Sequence, residues 1–288
     1  MFPISVINIE ISYDIEQSLK TAREFGIKQI EIHSAWQKNI ECMEVTEVKE
    51  LKKLVEKYNL TVSCISSTLF LRAYLDDRDE IAPELKGFKA ISGDYSHHLN
   101  KLQYAFRAAQ ILETPLVRVF PFQKAEILTE DVFSRAAEKF ALPAKLAKEN
   151  GVTLVMETCP HTSFGWGKNA AKLIRMIDSP ALKLLWDPAG AIRAGEPDCL
   201  QSISDILPLV RHVHAKDIVV LPDGGREYLS IGKGQIPWMT IFQALRANQY
   251  SGVISLEPHF HGQDGSKTSA IKESLEGLNR ILAACEKQ

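Results

Sequence analysis

The sequence predicts a single (β/α)₈ TIM barrel of the α/β class, and three observations predict it. Short β-branched runs alternate with longer amphipathic segments, the strand-then-helix unit recurs eight times, and no long linker or low-complexity tract interrupts the series. Sequential βα units give parallel strands with right-handed crossovers. Eight of them in one undivided chain favour closure into a cylinder over an open sheet. A length of 288 residues suits one barrel domain spanning 1–288.

Ile4–Glu10 reads as the first strand. Asp14 offers an N-cap to a helix whose apolar positions Ile15, Leu19, Ala22 and Phe25 fall at helical spacing, and Gly26 closes it. Gln29–His33 is the second strand, and the helix from about Thr46 to Tyr58 carries Val48, Leu51, Leu54 and Val55 on one face. Thr61–Ile65 is the third strand. The segment from about 70 to 98, with Asp76-Asp77-Arg78-Asp79 among its charged and turn residues, reads as an elaborated loop over the barrel mouth. A helix around Leu99–Leu112 follows it. Leu116–Phe120, Val152–Glu157, Leu182–Asp187, Val210–Lys216 and Val253–Glu257 are the remaining strands. Helices near Thr129–Glu149, Lys168–Met176, Pro197–Ile206, Pro237–Ala247 and Thr268–Glu286 separate or follow them. No G-x-G-x-x-G or G-x-x-x-x-G-K follows a strand, so a dinucleotide or P-loop site has no support.

The bulk numbers narrow the function classes. Lys+Arg at 34 against Asp+Glu at 36 gives a net charge of −2 without a basic block, so no nucleic-acid or membrane partner is expected. The five cysteines are scattered and lack C-x-x-C pairing, which reads as reduced thiols. The N-terminal Met1-Phe2-Pro3-Ile4-Ser5 runs straight into a strand pattern, and no apolar stretch approaches the roughly 20 residues of a membrane helix. A cytoplasmic protein is the expectation. Exposed aromatics such as Trp36, Trp166 and Trp238 leave room for a homo-oligomer.

In such a barrel the active site lies at the C-terminal ends of the strands. The last four strands finish on Glu157, on Asp187, on His214 with Lys216, and on Glu257, each after an apolar run. A lone acid closing a strand is usually a cap or salt-bridge partner, and a lone histidine is usually structural. Four such groups on consecutive strands of one face are harder to explain separately, because a carboxylate leaving a buried strand costs several kcal/mol unless paired or coordinated. They point to one divalent metal ion at a common focus. The oxygen-rich, sulfur-free set Glu157, Asp187, His214 and Glu257 suits Mn²⁺, Mg²⁺ or Co²⁺, with Zn²⁺ less favoured. About two open positions of an octahedral sphere would suit adjacent oxygens of a carbohydrate-like substrate. Lewis-acid polarisation of a carbonyl then stabilises an enediolate, with Glu157 and Glu257 as base and acid.

Several runs carry a family likeness: Val155-Met156-Glu157, Trp186-Asp187-Pro188, His212-Val213-His214-Ala215-Lys216-Asp217, Ile231-Gly232-Lys233-Gly234 with Trp238, and Tyr250-Ser251-Gly252 leading to Ser255-Leu256-Glu257. With these, nearly the whole chain resembles the xylose isomerase-like barrels, often called sugar phosphate isomerases/epimerases. The resemblance implies that Glu157, Asp187, His214 and Glu257 hold the metal and that the two glutamates move the proton. Ketose 3-epimerases of that superfamily have a histidine three residues after the aspartate ligand, an arginine six after the histidine ligand and a glutamate six after the first glutamate. This chain has Gly190, Val220 and Ser163 there. The metal core is kept while the substrate-gripping residues differ.

The expected substrate contacts are His33, Arg118, His161, Trp166, Lys216 and His259. His33 ends the second strand. Arg118 is a charge inside the fourth, positioned to brace a carboxylate or meet substrate. His161 and Trp166 belong to a loop that suits a sugar platform, Lys216 shares a strand face with His214, and His259 follows Glu257. Asp217 reads as a loop anchor, and His97, His98 and His212 as structural. The leading expectation is a metal-dependent sugar isomerase or epimerase. The runner-up is a lyase on the same scaffold, expelling a group β to a carbonyl. An endonuclease IV-like hydrolase lacks enough strand-end histidines, and a non-catalytic binding barrel sits poorly with an intact ligand set.

Overall fold

The computed structural model describes residues 2–78, 82 and 85–287. Its core is an eight-stranded sheet of parallel strands β1 (Ile4–Val6), β2 (Gln29–Ile32), β3 (Thr61–Ile65), β4 (Leu116–Val119), β5 (Thr153–Glu157), β6 (Leu182–Trp186), β7 (Val210–Ala215) and β8 (Val253–Leu256). Each strand pairs with its sequence neighbour, and β1 pairs with β8. A parallel bridge from Ile7 to Glu31 joins β1 to β2 at the remaining seam, so the barrel is nearly closed. Helices cover the outside, which buries each strand on both faces. Leu154, Val155 and Met156 of β5 are accordingly all 0% exposed despite the strand's alternation of sides.

Local sequence explains most of the elements. The Asp14 carboxylate accepts the Gln17 N–H at 2.9 Å and starts the helix Ile15–Glu24, whose Ile15, Leu19 and Ala22 are buried. Thr129 caps Glu130–Glu149 in the same way, and Ser266 caps Lys267–Cys285. Asp94 caps Tyr95–Ile111 through the His97 N–H, so that helix begins earlier than the apolar spacing predicts.

Two expectations fail. The first strand stops at Val6, and Asn8–Ile11 is a helical turn. The Asn8 side chain ties that turn to the end of β2, donating to the Ser34 carbonyl and accepting from the His33 N–H, both at 2.8 Å. The expected helix Pro197–Ile206 is mostly absent. The chain instead turns helical at once after β6, as Pro188–Arg193. Proline is at home in a first helical turn, where its missing N–H leaves nothing unsatisfied. Gly195 at φ +100° follows that helix, and Glu196 turns inward to accept from Gly167 N and Ser202 Oγ. Only Ile203–Ile206 and the 3₁₀ turn Leu207–Leu209 remain helical beyond it.

Two small hairpins stand on the C-terminal side of the barrel. Ser34–Ala35 pairs with Lys38–Asn39 through a turn in which Trp36 and Gln37 are both left-handed, and Asp217–Val220 pairs with Arg226–Leu229. In the long segment between β3 and the next helix, the expected Asp79 lies outside the described residues. The described part is organised by Arg72, which is 7% exposed. Its guanidinium donates to the carbonyls of Leu85, Phe88 and Ala90 and to Ser92 Oγ, so the backbone of this loop wraps a single buried cation. Among the described residues no helix is long and apolar enough to cross a membrane.

Candidate active site

A cavity of about 500 Å³ opens at the C-terminal ends of the strands. Its floor is set by strand alternation. In β7, His212, His214 and the following Lys216 share one side and all point inward. Glu257 is placed beside them because its N–H donates to the Ala215 carbonyl at 3.0 Å, continuing the β7–β8 pairing past the end of the strand.

Glu157, His214 and Glu257 each bring one atom able to ligate a metal within 4.8 Å of the others. His214 Nδ1 faces Glu257 Oε2 at 3.0 Å and Glu157 Oε1 at 3.6 Å. Asp187 lines the same cavity but stands outside that trio, joined to it by Lys216. The lysine Nζ lies 2.9 Å from Asp187 Oδ2 and also contacts Glu257 Oε2. Arg118 Nη1 faces Glu157 Oε2 at 3.2 Å, while its other nitrogens donate to the carbonyls of Ser66 and Ser67. The arginine is thus anchored on the end of β3 and aimed at the end of β5.

Behind His214 lies a group that strand-end reasoning passed over. Glu31 is 0% exposed, and its carboxylate meets His212 Nε2 at 2.9 Å and His214 Nε2 at 3.2 Å. It occupies the same side of β2 as His33, two residues on, so inward alternation was the available signal. Glu31, Cys64 and His212 also cluster closely enough to hold an ion, yet none of the three lines the cavity. A carboxylate–histidine network beneath the floor describes them better.

The charges tune one another strongly. Burial opposes a charged His214, but Glu31, Glu257 and Glu157 outweigh it and hold the imidazole well above its usual pKa. Burial likewise opposes the Lys216 ammonium, and Asp187 and Glu257 prevail to raise it further. Burial pushes Asp187 up despite Lys216. For Glu257 burial acts upward too, yet Lys216, His214 and His259 keep it well below the carboxylate range. Burial, aided by Arg118, drives His33 down to about 3, so this imidazole is neutral near pH 7.

A divalent ion fits these residues. Three hard or borderline donors converge from three strands, and His214 Nδ1 and Asp187 Oδ1 are buried without a well-formed hydrogen bond. Glu31 on the far ring nitrogen of His214 is the partner that metal-binding histidines usually have.

Most of the expected contacts reach the cavity: His33, Arg118, His161, Lys216 and His259 line it. His259 holds a left-handed φ of +59°, with Nε2 3.1 Å from Glu257 Oε1 and its N–H on Glu10. Trp166 does not belong there. Its indole N–H donates to the Ala194 carbonyl at 3.0 Å, and the side chain packs near Gly195 instead of walling the mouth. Phe88, from the loop wrapped on Arg72, lines the cavity along with Tyr13, Phe120 and Tyr228, its ring edge-on to His161 at 5.3 Å. Gly190 is glycine for a local reason. A Cβ there would lie 2.3 Å from Asp187 Oδ2 and 2.5 Å from the Thr158 carbonyl, so no side chain enters at this position without moving the aspartate.

The family model for xylose isomerase-like TIM barrels matches residues 19–281. The chain belongs to this family. Among curated relatives, an uncharacterized protein of Methanocaldococcus jannaschii is 28% identical over 191 residues, and the match spans 64% of each chain. The inosose dehydratase of Clostridium perfringens strain 13 is 25% identical over 289 residues, covering 92% of this chain and 88% of its own. Two solved structures share the fold. The IOLI protein, described with a bound zinc atom, superposes with TM-score 0.76 at 14% identity, covering 98% of this chain and 99% of its own. A Mycobacterium smegmatis barrel of the same family, described in complex with magnesium, gives 0.74 at 17%, covering 99% and 98%. At such identities the structural likeness speaks to fold alone.

Proposed function

We propose that this protein is a divalent-metal-dependent lyase that removes water from a polyhydroxylated ketone. The observation that carries this reading is the placement of a lysine and a histidine against the two oxygens of one glutamate. Lys216 contacts one Glu257 oxygen and His259 lies 3.1 Å from the other. Elimination needs a base for the proton α to the carbonyl and an acid for the departing β-hydroxyl, and this cavity holds both kinds of group side by side.

In the proposed reaction the α C–H bond breaks and its proton passes to a glutamate of the Glu157/Glu257 pair. The β C–O bond breaks with its electrons on oxygen, Lys216 supplies the proton that makes the leaving group water, and a double bond joins the two carbons. Glu157, Asp187, His214 and Glu257 are the proposed holders of the ion, which supplies Lewis-acid polarisation of the substrate carbonyl when bound. Arg118 holds Glu157 in place, Glu31 fixes the His214 ring, and His33 offers a neutral hydrogen-bonding group. The dehydratase named among the relatives supports this reading, as does Gly190, where a ketose-gripping histidine has no room.

A second reading, sugar isomerase or epimerase, draws on the approach of two glutamates from different strands to His214 Nδ1. One experiment separates the two. The protein with Mn²⁺ is incubated with inososes and open-chain ketoses in D₂O and followed by NMR. Loss of a hydroxyl with appearance of an unsaturated carbonyl supports the lyase. Deuterium at the α-carbon with every hydroxyl retained supports the isomerase. Glu257→Gln abolishes either signal, and full activity in that variant overturns both.

A further inference from the structure

We propose that the mouth of the cavity contains a subsite for an anionic substituent of the substrate, a carboxylate or a phosphate, formed by Lys89 and Lys267 around Tyr13 with Arg193 as a third cation. This rests on reading the cavity as the substrate site and adds the substrate's chemical class.

The charges of the deep site are matched: Arg118 with Glu157, and Lys216 with Asp187 and Glu257. Those of the rim are not. Lys89, Lys267 and Arg193 all line the cavity, all are half-buried, and among the described residues none has a carboxylate partner. Neutral groups hold them instead. Lys267 Nζ donates to the Ile9 carbonyl at 2.8 Å, and Arg193 donates to the Tyr228 hydroxyl at 2.5 Å. The ammonium groups of Lys267 and Lys89 lie 4.8 Å and 5.5 Å from the Tyr13 ring centroid, which gathers two like charges beside one ring. Among the described residues the rim carboxylate is Glu10, and it is turned to His259, accepting its N–H and facing its ring.

Among the described lining residues, five cationic side chains face four carboxylates, and a divalent ion at the floor would add two more positive charges. Like charges around one cavity with low-dielectric walls repel, and they focus a positive potential on whatever enters. A neutral polyol needs only hydrogen-bonding groups and leaves that repulsion in place. An anionic substituent relieves it, and Arg193 can meet such a group through two N–H bonds.

The test uses metal-free protein, so that an anion cannot be held by an ion at the floor. Calorimetric titrations are run with malonate, with inorganic phosphate and with neutral myo-inositol. One of the two anions is expected to bind once per chain, and the better one identifies the substituent. The combined Lys89→Met and Lys267→Met variant is expected to weaken that binding at least about tenfold, or ~1.4 kcal/mol, with Mn²⁺ affinity unchanged. The single variants replace it should the double variant fail to fold. The subsite is refuted when neither anion binds, or when the variant binds as tightly as the parent. Loss of Mn²⁺ binding or of turnover with anion binding intact sinks the lyase reading alone.

Discussion

Replacing Glu31 by glutamine tests the network under the proposed metal site. Both carboxylate oxygens are used in a fully buried position, with His212 Nε2 at 2.9 Å and His214 Nε2 at 3.2 Å. A carboxylate accepts from both rings at once, which keeps a proton on each Nε2, so that an ion displacing the Nδ1 proton of His214 meets a lone pair facing Glu157 and Glu257. Glutamine has one accepting end and one donating end. Whichever way its amide turns, one histidine meets an N–H donor and is driven to the other tautomer or left unpaired. Loss of such an outer partner typically weakens metal binding 10–100-fold, about 1.4–2.7 kcal/mol. Titration of the variant with Mn²⁺ at pH 7.5, by calorimetry or by the EPR signal of free Mn²⁺, measures this directly, and a melting curve separates loss of fold from loss of affinity. A folded Glu31→Gln protein that binds Mn²⁺ within twofold of the parent would refute the assigned role.

Two further outcomes are expected. Gly190→Ala places a Cβ 2.3 Å from Asp187 Oδ2 and 2.5 Å from the Thr158 carbonyl. Overpacking of this kind costs about 1–3 kcal/mol, so a lowered melting temperature with impaired turnover is expected, and a variant unchanged in both contradicts the geometry. His98 is held down to about 4 by burial, with a lesser push from His97, and its Nδ1 accepts the Phe70 N–H at 3.0 Å. A histidine buried neutral contributes stability that is complete above its unfolded pKa near 6.5 and is lost as pH falls from there through 4, so about 2 kcal/mol is gone by pH 5. Urea unfolding of the parent and of His98→Gln at pH 7.5 and 5 tests this. Equal pH sensitivity in the two proteins discounts His98.

The strand ends were legible because the runs closing on Glu157, Asp187 and Glu257 are largely apolar before their final acid, and the run through His214 carries His212, His214 and Lys216 on alternate positions. That pattern survives in a single sequence. Glu31 was not, since it sits mid-strand between Ile30 and Ile32, where an acid resembles an ordinary solvent-facing residue until closure of the barrel puts it inside. Ile4–Glu10 overran for a related reason. An apolar-rich run with β-branched residues fits a strand to its end, but the Asn8 contacts to Ser34 and His33 come from a segment some 25 residues away. Trp166 was misplaced because its indole finds its partner at Ala194, on the loop after a different strand. Arg72 gave no local hint that an irregular stretch would fold around it.

By itself the sequence determined the repeating βα order, and with it the parallel barrel and the end of the barrel where chemistry can occur, because hydrophobic period and caps are local properties. It also determined which ionisable groups leave the strand ends. The tertiary structure decided their company: Lys216 between Asp187 and Glu257, Glu31 behind His214, and Lys89 with Lys267 at the rim. Those pairings depend on distances across a closed cylinder. Residues far apart in the chain meet there only once all eight strands are in register.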